Sequence, residues 1–103
     1  MIYSYKVRDE AVEQLVEAVI WYEKQKEGLG IFFKTKFYDK LDLICNYPLH
    51  YKASYKEYHE ALTEKFPFLI VYSIDEKIKH ITVIAIFHTS RNPKKKFKRT
   101  RLK

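Results

Sequence analysis

At 103 residues, 47% of them hydrophobic and 17% aromatic, with only 2 Gly and 3 Pro, the chain fits one globular domain and excludes a disordered or linker-rich protein. The net charge of +7 is unevenly spread: of 20 basic residues eight lie in 91–103 without an acid among them, while residues 1–90 hold the other 12 basic residues against all 13 acidic ones. A single cysteine, Cys45, excludes an internal disulfide, no apolar run is long enough to cross a bilayer, and Met1-Ile-Tyr-Ser-Tyr-Lys does not read as a signal peptide, so a cytoplasmic protein without membrane contact is expected.

Residues 2–7 carry β-branched and aromatic side chains at close spacing, which predicts a first strand. Asp9 offers an N-cap, and Glu10 and Glu13 put negative charge where the helix dipole favours it. Val12, Leu15, Val16, Val19 and Ile20 then recur at helical spacing, extended by Trp21 and Tyr22, up to a stop near Gly28. Leu29-Gly30 reads as a tight connector. A second helix carries Phe33, Phe37, Leu41 and Ile44 on one stripe and is stopped by Pro48, which disfavours the α region for Tyr47. So short a turn makes the two helices an antiparallel hairpin.

The remainder reads as β. Strands are expected over 57–66, 68–74 and 78–87, with Asp75-Glu76-Lys77 as a polar turn between the last two. The final run is apolar at nearly every position, which predicts a central strand buried on both faces. The expected fold is α+β in the order β-α-α-β-β-β, an antiparallel sheet with the helical hairpin packed on one face. The domain spans 1–90 and a basic tail spans 91–103. The second sheet face would need a cover, either Phe97 and Leu102 of the tail or a partner chain.

Several segments stand out in order: Trp21-Tyr22-Glu23, then Gly28-Leu29-Gly30 with Phe33, then Ile44-Cys-Asn-Tyr-Pro48. Phe66-Pro-Phe-Leu-Ile-Val-Tyr-Ser-Ile and Ile81-Thr-Val-Ile-Ala-Ile-Phe-His88-Thr-Ser-Arg91-Asn-Pro93 complete the set. Taken together they resemble the RelE/ParE toxin superfamily. The resemblance covers about residues 8–95 and agrees with the element order. It implies the toxin of a type II toxin–antitoxin pair, neutralised by an antitoxin whose C-terminal segment folds on binding. It also implies one of two actions. ParE-like members, the plasmid-stabilisation branch, poison DNA gyrase; RelE-like members cut messenger RNA on the ribosome.

Metal-free RNA cleavage needs a group to activate the 2′-hydroxyl and cations for the developing phosphorane charge. Against the ribonuclease branch, Glu60 and Glu64 stand where basic residues are usual, Leu69 replaces another, and Phe97 lacks the hydroxyl of a terminal Tyr. The catalytic candidates left are His88, Arg91, His59 and Lys65, and a ParE-like, non-nuclease toxin is the expectation. A non-toxic nucleic-acid-binding member is the further alternative. Arg91, Lys94, Lys95, Lys96, Lys98, Arg99 and Arg101 are candidates for binding a partner or nucleic acid. No Gly-rich phosphate loop or metal-ligand spacing occurs, so neither cofactor nor metal is expected. Cys45 reads as a small core residue.

Overall fold

The computed structural model describes residues 3–51, 53–55 and 57–90. Their order is β1 (Ser4–Val7), α1 (Asp9–Gln25), α2 (Leu29–Asn46), a single 3₁₀ turn (Pro48–His50), β2 (Ala53–Tyr55), β3 (Tyr58–Leu62), β4 (Phe68–Asp75) and β5 (His80–His88). The expected α+β order holds, with the short β2 as an addition. The strands lie in the order β1-β5-β4-β3-β2. From β2 to β5 the chain is an antiparallel meander, but β1 pairs with β5 in parallel, from Ser4 opposite His80 to Val7 opposite Val83. The sheet is therefore mixed rather than wholly antiparallel. The helical hairpin separates β1 from the meander in sequence, and a connection that long permits parallel pairing.

Helix α1 begins one residue earlier than expected. Arg8, in extended backbone, is the cap, and Asp9 and Glu10 occupy the first turn. Its buried face is Ala11, Leu15 and Ala18, with Val19 and Tyr22 packed alongside. Three residues of the expected face, Val12, Val16 and Ile20, are 42%, 48% and 50% exposed. Apolar residues cover more than half of this helix's circumference, so spacing alone cannot choose the stripe. The small side chains of Ala11 and Ala18 let the helix approach the sheet closely, and packing settles the rotation.

The turn between the helices departs from the expected connector. α1 stops at Gln25, and Gly28 adopts the left-handed conformation at φ 88° as the cap of α2. Leu29 and Gly30 are already helical. The Glu23 carboxylate accepts the N–H groups of Gly28 at 2.7 Å and Gly30 at 2.9 Å, supplying the cap that Gly28 has no side chain to provide. A Cβ at Gly30 would overlap the Val19 carbonyl, so glycine sets how closely the helices pack there.

In α2 the stripe is as expected: Phe33, Phe37, Leu41 and Ile44 are buried. The helix ends at Asn46, before Pro48. Cys45 is buried among them, and burial pushes its thiol pKa up, as does the charge of Asp42. β3 is shorter than expected because 63–67 turn instead. Ile78 belongs to the next turn, where Asp75 Oδ1 accepts the N–H groups of Lys77 and Ile78. Among the described residues no helix is long and apolar enough to cross a membrane.

β5 lies between β1 and β4 and is buried on both faces, as its apolar run predicts. Ile81, Val83 and Ile86 join the core under the helices, whereas Ile84, Ala85 and Phe87 join Val71 and Tyr58 on the far face. The tail, with Phe97 and Leu102 as expected covers for that face, lies outside the described residues.

Candidate functional site

The two core clusters reveal a break in strand alternation. Opposite β4, Val71 pairs with Ala85 and Tyr72 with Val83, so Ile84 is an extra residue, a β-bulge. Strict alternation from Ile81 and Val83 would turn residues 85 and 87 toward the helices and 86 and 88 away. The bulge reverses this, so that Ile86 and His88 face α1.

His88 ends β5 opposite Phe68, and their rings meet edge to face at 5.3 Å. Its Nδ1 accepts the Ser90 N–H at 3.1 Å and lies 2.8 Å from Ser90 Oγ. A ring nitrogen that accepts a backbone N–H carries no proton, so neutral His88 holds its proton on Nε2. Beside the ring opens a groove against α1. One lobe, of about 380 Å³, is lined by Ala18, Trp21, Tyr22, Phe68, His88 and Ser90. A second, of about 210 Å³, shares Ala18, Trp21, Phe68 and His88 and adds Gln14, Glu17 and Ile86. Trp21 stays 58% exposed on its wall and packs edge to face on Tyr22. Burial raises the Tyr22 phenol pKa. The groove can hold an apolar group beside an imidazole hydrogen-bond donor and a carboxylate.

Lys65 is at the same end of the sheet. It is exposed, at φ 70°, in the turn whose Pro67 carbonyl accepts the Thr89 N–H at 2.7 Å. His59 is elsewhere. It pairs across the ladder with Tyr72, four residues along β4 from Phe68 and therefore about 13 Å from His88's position along the strand direction. Its ring stacks on Tyr72 at 5.4 Å and its Nδ1 lies 3.0 Å from the Tyr51 carbonyl. The Tyr72 hydroxyl donates to the Pro48 carbonyl at 2.7 Å, and burial drives its pKa far above the usual phenol value. Tyr72 thus ties the 3₁₀ turn to the sheet, and His59 meets Tyr51 just after it. Glu64 pairs with Lys36 at 3.3 Å. Arg91, Lys94, Lys95, Lys96, Lys98, Arg99 and Arg101 lie outside the described residues. Among the described residues no three His, Cys, Asp or Glu side chains converge as metal ligands would.

Sequence reasoning missed Gln14, Glu17, Phe68 and Ser90 as groove residues. The one available signal was Trp21, a large ring at the end of an apolar stretch too wide for one buried face.

A mixed five-stranded sheet with this strand order, carrying a helical hairpin, defines the class as α+β. It is similar to the chromosomal ParDE toxin–antitoxin system from P. aeruginosa, with a TM-score of 0.74 at 12% identity, covering 86% of this chain and 98% of that one. It is similar also to the intact E. coli RelBE toxin–antitoxin complex, at 0.64 and 14% identity over 86% and 99%. A third likeness is to the archaeal RelE–RelB complex from Pyrococcus horikoshii OT3, at 0.56 and 14% identity over 89% and 100%. No curated protein sequence matches significantly. The family model for the ParE toxin of the type II toxin–antitoxin system parDE matches residues 5–93, and the chain belongs to that family.

Proposed function

We propose that this toxin acts in the cytoplasm by protein–protein contact with a cellular target such as DNA gyrase, and that a cognate antitoxin holds it inactive. The match to the ParE family over residues 5–93 is the observation that carries this reading. The similar P. aeruginosa, E. coli and archaeal structures are of toxin–antitoxin systems, which supports an antitoxin partner. The separation of His59 from His88 favours contact over RNA cleavage, because an acid–base pair must both reach one phosphodiester. In this reading Arg91 and the basic residues at 94, 95, 96, 98, 99 and 101 add electrostatic attraction for the partner. Inducible expression alone and beside the small acidic reading frame expected next to the gene tests the pair. Growth arrest relieved by co-expression is the expected result, and unaffected growth on expression alone would overturn the reading.

A further inference from the structure

β1 ends at Val7, opposite Val83, and the Arg8 N–H reaches the Val83 carbonyl. β5 runs on to His88, and among the described residues no strand lies on that side of 86–88. The bulge at Ile84 turns the Ile86 N–H toward this open edge, where Gln14 Oε1 accepts it at 2.8 Å. By the two-residue repeat of a strand, the Ile86 carbonyl and the His88 N–H and carbonyl point the same way. One side chain has taken one of the bonds that a neighbouring strand would make.

Above that edge lies the groove, its apolar wall made by Ala18, Trp21 and Phe68. Glu17 lines the rim beside Ile86, and Glu10 is on the same α1 face two turns earlier. Both are exposed, and neither has an ion pair among the described residues.

We propose that the groove between α1 and the end of β5 is a docking site for an extended segment of a partner protein. That segment carries an apolar side chain opposite His88 and a lysine or arginine two residues along, opposite Ile86. Extended backbone matches the free edge, since a helix has no main-chain groups to offer it. The two residues differ by two because only alternate side chains of a strand face the groove. The positive charge complements Glu17 and Glu10, which also turn phosphate-bearing ligands away. On docking, Gln14 yields the Ile86 N–H to the incoming strand.

The test uses the full chain and two short acetylated and amidated peptides of threonine background. One has leucine and lysine two residues apart; the other has glutamate in place of the lysine. Binding is read from the amide NMR signals of Ile86 and His88. The expected result is saturable movement of both signals, with the lysine peptide bound roughly threefold or more tightly than the glutamate peptide. Glu17→Lys, a substitution at an exposed site, is expected to reverse that order. Movement of neither signal, equal affinities of the two peptides, or an order unchanged by Glu17→Lys would each overturn the proposal.

Discussion

The carboxylate of Glu23, near the end of α1, accepts the backbone N–H of Gly30 at 2.9 Å, in the first turn of α2. One helix thus caps the next across a left-handed glycine, and the cap is ionic. Bonds first from Gly28 and then from Gly30 hold the Glu23 pKa below its ordinary value of 4.5. A carboxyl depressed in the folded state stabilises above its unfolded pKa and loses that contribution as pH falls through the folded one. Glu23→Ala is therefore expected to unfold at lower urea than wild type at neutral pH. The gap should narrow below pH 4.5. Urea titrations of both proteins on either side of that pH check it, and a gap independent of pH would count against the cap.

The two glycines of the turn should respond differently to alanine. At Gly30 the added Cβ meets the Val19 carbonyl and the Glu23 carboxylate, so the hairpin must open, costing about 1–3 kcal/mol as overpacking does. At Gly28 nothing lies within 4 Å, and the cost is that of holding alanine at φ 88°, about 1–2 kcal/mol. Crystal structures or interhelix NMR distances separate the cases. Only Gly30→Ala should move α2 relative to α1.

Tyr72→Phe removes the donor to the buried Pro48 carbonyl and leaves that acceptor unpaired. A loss of about 1–3 kcal/mol is expected. Because this bond braces the end of the sheet remote from the groove, His88 signals should stay in place while the signals of His59 shift. Chemical denaturation with imidazole NMR reads both.

Deleting Ile84 removes the bulge and makes Val83 and Ala85 neighbours, so strict alternation then keeps Ala85 and Phe87 on the far face and Ile86 and His88 toward α1. His88 should keep its edge-to-face contact with Phe68, so a nuclear Overhauser effect between the two rings should persist in the deletion variant, and its loss would count against Ile84 being the extra residue.

What could be read in advance follows from how one-sided each pattern is. Phe33, Phe37, Leu41 and Ile44 are flanked by Lys34, Lys36 and Lys40, so one stripe stands out, and it is the buried one. In α1 apolar residues occupy 11, 12, 15, 16 and 18–22, and only packing against β5 decides that Ala11 and Ala18 go inside. The burial of β5 was legible because it is apolar throughout. That same uniformity of Ile84-Ala85-Ile86-Phe87 hid the bulge, and with it the direction of His88. His88 could be singled out as an ionisable residue ending an apolar strand. Its separation from His59 depends on register, and the bond of Gln14 to Ile86 joins residues 72 apart, which no local pattern reveals.

This member of the ParE family is proposed to work by contact rather than by cutting RNA. Its most direct test is induced expression of the wild-type chain, reading transcript integrity and plasmid supercoiling from the same cells. Growth arrest with altered supercoiling and intact transcripts is the expected result. Ribosome-dependent cleavage of transcripts that disappears in His88→Ala would contradict it.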